Sequence, residues 1–261
     1  SQSGSAARVE TPGVLARGIE ENDWVVPGAP GAVMAVKLSV IIPVYNERTT
    51  FPEILKRVLK VEIDKEIIVV DNCSVDGTRE FVSGIDLPNV QVVLQPKNLG
   101  KGTSVRVGIS KAKGEYTIIQ DADLEYDPSD YYVLLDAIEK GGRVAVFGRR
   151  VPVDGLRQPL VFRAGSKTLA IIFSALYGHW VSDVATCYKL VRSDVLKKLT
   201  LVSSGFDLDF EIAARLAMAG YRIHEVPISY RPRPVVAGKK IRFRDGVVSL
   251  IGLCRWRFAL H

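Results

Sequence analysis

Cysteine and histidine are scarce in this chain, three of each among 261 residues. Cys73, Cys187 and Cys254 are odd in number and lack CxxC spacing. That argues against a structural zinc and for reduced thiols in a cytoplasmic setting. His179 and His224 have no partner legible from sequence and read as packing or surface residues, not as ligands or bases. Long apolar runs are missing too. The longest, residues 169–176 and 247–253, are too short to span a bilayer, so no transmembrane helix is expected. The N-terminus lacks the basic, apolar, small-residue succession of a secretory signal. Residues 1–36 mix Gly, Pro, Ser and Ala without periodicity and are set aside as a flexible leader.

What remains is a core-forming chain, 47% hydrophobic, with a net charge of +6. One sizeable domain, residues 37–231, is the natural division, followed by a basic amphipathic tail, residues 232–261. The charge is concentrated late. From Arg222 to His261 nine Lys/Arg face only Glu225 and Asp245. Such an end suits phosphate-bearing partners. Nucleic acid is disfavoured among them, because no aromatics alternate with the cations as stacking platforms.

From residue 37 apolar strands alternate with amphipathic helices. The spacing predicts strands at 38–42, 66–70, 90–94, 116–119 and 144–147, and helices at 50–60, 76–83, 101–112 and 129–139. In the second half it predicts helices at 163–177, 207–219 and 245–257, with strands at 188–191 and around 221–230. Continuously apolar strands alternating with helices mean an α/β fold, a mostly parallel sheet covered on both faces. Ligands of such sheets bind beyond the carboxyl ends of the strands.

The chemistry-bearing residues fall at those ends. After the strand at 116–119 come Asp121, Asp123 and Glu125. Extended backbone would send all three to one side, and three crowded carboxylates call for a cation. Oxygen ligands of this kind suit Mg²⁺ or Mn²⁺ holding a diphosphate. Pro43-Val-Tyr45-Asn46-Glu47 ends the first strand, where Tyr45 can lie against a base and Asn46 and Glu47 against its edge or a ribose; a bare strand-to-helix turn explains the segment equally well. Asp71 ends the second strand as a candidate acceptor from base or ribose, while Asp76 reads as a helix cap. Asn98-Leu-Gly100-Lys101-Gly102 opens a helix, and its glycines would admit an anion to the backbone. Gln95 stands where a Walker loop needs Gly, so no P-loop is expected. Arg149, Arg150, Arg163, Lys239 and Lys240 are the cations to place near phosphates. Asp183, Asp207, Asp209 and Glu211 are the remaining acidic candidates; Arg215 at helical spacing makes a surface ion pair the rival role for Glu211.

In order along the chain, these blocks resemble family 2 glycosyltransferases of the GT-A (Rossmann-like) fold, in the dolichyl-phosphate mannose synthase-like branch. The resemblance spans about residues 38–250. It rests on Pro43-Val-Tyr-Asn-Glu47, Asp71 through Thr78, Asn98-Leu-Gly-Lys-Gly102, Gln120-Asp-Ala-Asp-Leu-Glu125 and Gly148-Arg-Arg150. Ser182-Asp-Val-Ala-Thr-Cys-Tyr-Lys189, Ser204-Gly-Phe206, Gly220-Tyr-Arg-Ile223, Glu225-Val-Pro227 and Gly238-Lys-Lys240 add to it.

The resemblance implies an inverting, metal-dependent transfer of a hexose from GDP-mannose or UDP-glucose to a polyprenyl phosphate, at the cytoplasmic face of a membrane. By motif, Asp71 and Asp121 contact the nucleoside, Asp123 and Glu125 ligate Mg²⁺ or Mn²⁺, Arg150 and Arg163 clamp phosphates, and Lys240 is the family's late lysine. Pro43, Tyr45, Glu47 and Lys101 complete the expected donor site, and Asp183 and Glu211 join Asp123 and the two arginines as catalytic candidates. Asn72-Cys73 departs from the usual acidic-glycine pair. Glu125 stands where some relatives carry Gln, and Asp207 where mannose synthases often carry Lys. An acceptor phosphate arrives ionised, so no general base is obligatory, and catalysis becomes positioning plus electrostatics. Residues 163–177 and the tail are expected at the bilayer interface, peripherally or beside a membrane partner or second copy. A soluble metabolite or polysaccharide acceptor, or a non-catalytic nucleotide-binding subunit, would share the same donor site.

Overall fold

Strand β1 (Leu38–Val44) reads LSVIIPV and β2 (Lys65–Asp71) reads KEIIVVD. Their apolar runs are continuous because both faces are covered: Val40, Ile41, Ile42 and Ile67 through Val70 are fully buried. The computed structural model describes residues 36–153, 160–233 and 243–258. Helix α1 (Phe51–Lys60) opens with Pro52 in its first turn and buries Phe51, Ile54, Leu55 and Val58, one face at helical spacing. After α2 (Thr78–Ser83), β3 (Val90–Leu94), α3 (Lys101–Lys111) and β4 (Tyr116–Ile119), a 3₁₀ turn (Pro128–Asp130) leads into α4 (Tyr131–Lys140). The second half runs β5 (Ala145–Pro152), α5 (Leu160–Tyr177), β6 (Lys189–Arg192), α6 (Ser193–Leu196), α7 (Leu208–Met218), β7 (Ile223–Tyr230) and α8 (Phe243–Phe258).

These strands form one seven-stranded sheet in the order β3-β2-β1-β4-β6-β5-β7. β1 pairs in parallel with both β2 and β4, and β2 with β3. The expected mostly parallel α/β architecture is therefore present. One feature was not legible: β6 runs antiparallel between β4 and β5. The chain leaves β1 toward β2 and β3 on one side, then returns to place β4 on the other. That reversal opens a crevice at the carboxyl ends of β1 and β4.

Close packing fixes this edge. A Cβ on Gly108 would lie 2.4 Å from Ile41 Cγ2, so the glycine lets α3 lie flat on β1. Beneath β4, Gln120 is fully buried and accepts from Tyr131 Oη at 2.6 Å and Tyr188 Oη at 2.5 Å. The tail helix α8 packs on α5 and α7, burying Leu253 and Trp256, while Tyr177 Oη donates to the Leu253 carbonyl at 2.8 Å. Its outer side leaves Val247, Val248, Ile251 and Phe258 exposed. Among the described residues no helix is long and apolar enough to cross a membrane.

Candidate active site

Among the described residues, three non-glycine positions adopt positive φ: Asn46 (50°), Cys73 (64°) and Leu124 (65°). They follow β1, β2 and β4, so the backbone is bent against its preference around the crevice. Leu124 corrects an expectation. The backbone does not stay extended after Ile119 but turns through Ala122 and Asp123. The regular alternation expected of extended backbone is therefore broken, although the charges of Asp121 and Glu125 both still reach Asp123.

Each of the three carboxylates has its own surroundings. Asp121 Oδ1 pairs with Lys101 Nζ at 2.7 Å. Glu125 is spent on the segment after β7: its oxygens accept from Tyr230 Oη at 2.6 Å and from the Arg233 backbone N–H at 2.8 Å. Expected as an open metal ligand, it anchors the strap in this structure. Asp123 is half-buried, and one oxygen accepts only its own turn's Glu125 N–H, at 3.1 Å. Burial, then the charges of Asp121 and Glu125, push its carboxyl up to about 7, with Arg233 opposing. Among the described residues no cluster of three or more His, Cys, Asp or Glu could hold a metal. A cation here would take Asp123 and complete its shell with phosphate oxygens and water, the usual habit of Mg²⁺.

Several expected ligand contacts are instead internal. Asp71 is fully buried, held by Arg79 Nη1 at 2.7 Å and the Ser74 N–H at 3.3 Å, so it is not presented to a nucleoside. Asn72, the departure from the family pattern, spends its amide on the turn before α3: Oδ1 accepts from Leu99 N at 2.8 Å and Nδ2 donates to Asn98 Oδ1 at 2.9 Å. Glu47 is clasped by Arg233, whose Nη2 donates to Oε2 at 3.0 Å and to the Asp123 carbonyl at 3.2 Å. Pro43 and Tyr45 lie half-buried at the end of β1. Asp76, expected as a helix cap, sits one residue before the actual N-cap Gly77 and accepts from Thr78 N at 3.0 Å within the turn that leads into α2.

The Gly100-Lys101-Gly102 turn also faces inward. A Cβ on Gly100 would meet the Ser204 carbonyl oxygen at 2.2 Å, and one on Gly102 the Ser203 oxygen at 2.6 Å. Gly102 N donates to Ser204 O at 2.8 Å. The glycines thus admit the chain's own 203–205 segment, not an anion. Lys101 is held between Asp121 and Asp209, whose charges outweigh burial and keep its ammonium well above the ordinary range.

On the other side of the crevice Arg150 and Asp183 meet each other. Arg150 Nε donates to Oδ2 at 2.8 Å and Nη2 to Oδ1 at 2.7 Å, a bidentate pair that is mostly buried. Burial opposes the Asp183 charge, yet Arg150 holds its carboxyl below the ordinary range. Glu225 braces this pair by accepting from Ser182 N at 2.8 Å and Asp183 N at 2.9 Å. Glu211, expected as a catalytic or surface group, is fully buried: it accepts from Val202 N at 2.9 Å and Ser203 N at 2.8 Å, with Arg215 at 3.4 Å. It shapes the loop before α7. Arg163 is exposed on α5, and no ion pair joins it to the crevice carboxylates among the described residues. Lys239 and Lys240 lie outside the described residues.

Sequence reasoning missed Arg79, Arg233 and Lys189 as partners of these acids. The Arg231-Pro-Arg-Pro234 run beyond a strand end was the one available signal for Arg233.

Comparison with known proteins gives a consistent set. The family model described as Glycosyl transferase family 2 matches residues 39–200. An uncharacterised glycosyltransferase of Mycobacterium tuberculosis is 31% identical over 196 residues, 75% of this chain and 86% of the relative. Glucosyl-3-phosphoglycerate synthase from M. tuberculosis, in complex with Mn²⁺, UDP and phosphoglyceric acid, superposes with a TM-score of 0.63 at 18% identity, over 84% of this chain and 78% of that one. Staphylococcus aureus TarS in complex with UDP-GlcNAc gives 0.58 at 17% identity, over 84% of this chain and 66% of its own.

Proposed function

The chain belongs to glycosyl transferase family 2, and from that premise we propose that it moves a hexose from a nucleoside diphosphate sugar, UDP-glucose or GDP-mannose, to a soluble phosphorylated acceptor, with Mn²⁺ or Mg²⁺ at the donor. The observation that carries the donor half is the crowding after β4, where Asp123 has a carboxyl pushed up to about 7 beside Asp121 and Glu125. A divalent cation held by Asp123 would relieve that repulsion and would bring phosphate oxygens to the site. Such an ion would supply positive charge for the departing nucleoside diphosphate.

The chain's own groups do the rest by position. Lys101 fixes Asp121, Arg233 straps the segment after β7 over the Asp123 turn, and the Arg150–Asp183 pair forms a rigid opposite wall. A hydroxyl acceptor must give up a proton. We infer that Asp207 takes it: half-buried, following Phe206 whose ring lies 5.7 Å from Lys101 Nζ, and making no side-chain cap on α7. The soluble phosphorylated acceptor is favoured by the net charge of +6 and by the phosphoglyceric acid bound in the similar synthase.

A second reading, a polyprenyl phosphate acceptor at the cytoplasmic membrane face, is favoured by one observation. Val247, Val248, Ile251 and Phe258 form an exposed stripe on α8, beside Arg244, Arg255 and Arg257, and Leu160 and Ile171 are exposed on α5. Apolar residues flanked by cations suit a peripheral helix on anionic lipid. There the phosphate itself attacks, and no base is needed.

One experiment separates the two. Protein with Mn²⁺ and UDP-glucose or GDP-mannose is given phosphoglyceric acid or a short-chain polyprenyl phosphate, and products are weighed by mass spectrometry. A glycosylated soluble phosphate that disappears in Asp207→Asn is the expected result. A lipid product that survives Asp207→Asn would replace it with the second reading. No product from any pairing refutes both.

A further inference from the structure

Four charged side chains from four elements form an unbranched chain behind the crevice. Asp121, after β4, pairs with Lys101 of α3 at 2.7 Å; Lys101 reaches Asp209 of α7 at 3.4 Å; Asp209 reaches Lys189 of β6 at 3.6 Å. The signs alternate and cancel. Lys189 is fully buried, and its ammonium also donates to the Thr186 carbonyl. Only Asp121, at one end, is appreciably open to the crevice, with 22% side-chain exposure against 13% for Lys101 and 10% for Asp209.

A buried ionic chain is a poor way to make a protein stable, since apolar side chains of similar volume serve as well or better. What such a chain can do is fix a group in one place. The backbone at Asp121 is already held, because Gln120 Nε2 donates to the Asp121 carbonyl at 2.9 Å. The direction of the Asp121 carboxylate is left to Lys101. That carboxylate stands two residues from Asp123, so where it points sets the field in which a cation and a diphosphate are received.

The far end of the chain lies in the other half of the molecule. Asp209 sits in the first turn of α7, directly after the 203–206 segment that docks on Gly100 and Gly102. The same segment carries Phe206, whose ring lies 5.7 Å from Lys101 Nζ. Glu211, two residues after Asp209 in the same first turn, holds the start of the loop through Val202 N and Ser203 N. The loop and the ionic chain are thus braced by one helix turn.

We propose that Lys101 and Asp209 are positioning residues for the donor site, Lys101 acting through Asp121 and Asp209 acting through Lys101. This rests on the donor-site reading given above. Neither residue touches the sugar nucleotide in this scheme. Their contribution is read in how tightly the site holds a metal–diphosphate, and it is shared along the chain.

The test is a double-mutant cycle on the full chain, reading the affinity for UDP and for GDP with Mn²⁺ by calorimetry, with thermal melting alongside. Asp209→Asn, nearly isosteric, is expected to weaken Mn²⁺-dependent binding by about 10-fold, and Lys101→Met by up to about 100-fold. In Lys101→Met, the further change Asp209→Asn is expected to cost less than about 2-fold, because the link it acts through is gone. Should Lys101→Met not fold, Lys101→Arg replaces it and is expected to keep most of the affinity. Asp209→Asn with unchanged affinity and a lowered melting temperature overturns the proposal, as do losses that simply multiply in the double variant. If the wild-type chain binds neither nucleotide with Mn²⁺, the donor-site reading itself falls and takes this proposal with it, an outcome distinct from any difference between variants.

Discussion

Replacing Gly102 by alanine separates two explanations of the Gly100-Lys101-Gly102 turn. In a free helix the change is favourable by about 1 kcal/mol, since glycine gives up more backbone entropy. In this fold the added Cβ would lie 2.6 Å from Ser203 O, 2.8 Å from the Ser204 carbonyl carbon and 3.0 Å from Gly205 O. All three are backbone, so no side chain can swing aside. Relief requires moving the 203–205 segment, at about 1–3 kcal/mol for overpacking. It also stretches the Gly102 N to Ser204 O bond of 2.8 Å, worth about 1 kcal/mol net. The balance is a loss of about 1–3 kcal/mol, or roughly 3–10 °C in melting temperature for a domain of this size. The assay is thermal unfolding without ligand, with Gly165→Ala as control. Gly165 lies within α5 with nothing within 4 Å of an added Cβ, so alanine there is expected to stabilise by about 0.5–1 kcal/mol. A Gly102→Ala protein as stable as the wild type, yet impaired in nucleotide binding, would show that the space belongs to a ligand and refute the packing account.

Three further outcomes are expected. Asp183→Ala leaves Arg150 buried without its bidentate partner and lowers stability by about 3–5 kcal/mol in urea unfolding; a loss below about 1 kcal/mol would mean that the pair is solvated. Burial raises the Asp130 carboxyl to about 6, so its ionisation opposes folding: the cost is absent below the unfolded value near 4, grows as pH rises through 6, and is complete above it. Asp130→Asn can still accept from Ser229 N and is expected to gain about 1–2 kcal/mol at pH 8 but nothing at pH 4, and an equal gain at both would exclude ionisation as the cause. Ile251→Glu with Phe258→Glu should leave the fold intact and, if the lipid-acceptor reading holds, abolish co-sedimentation with anionic vesicles; wild-type protein that ignores such vesicles removes that reading's support.

Much of the fold was readable because β1, β2 and β4 are buried on both faces and keep continuous apolar runs, while the edge strand β3, only partly buried, is still mostly apolar. The runs at 38–42, 66–70, 90–94 and 116–119 fall within β1 to β4, with ends shifted by a residue or two at most. The antiparallel course of β6 was not readable. Four residues carry no orientation signal. The candidate site was legible as a place more than as a geometry. Asp123 stands where a strand-end acid was expected, but Leu124 at positive φ breaks the alternate spacing and sends Glu125 to Tyr230 and Arg233. Motif residues also turned inward. Asp71, Lys101 and Glu211 meet Arg79, Asp121 and the Val202–Ser203 backbone, because partners eight to twenty residues away in sequence, or in another element, are invisible to local pattern. The helical spacing of Glu211 and Arg215 did announce their pair, though not its burial.

The central claim is that Asp123, without Glu125, supplies the acid that receives a divalent cation and the diphosphate it carries. Calorimetric titration of UDP and GDP into wild-type, Asp123→Asn and Glu125→Gln proteins, each with and without Mn²⁺, tests it directly. Metal-dependent binding is expected in the wild type and in Glu125→Gln, and none in Asp123→Asn. Binding that persists in Asp123→Asn, or metal dependence lost only in Glu125→Gln, would contradict the assignment.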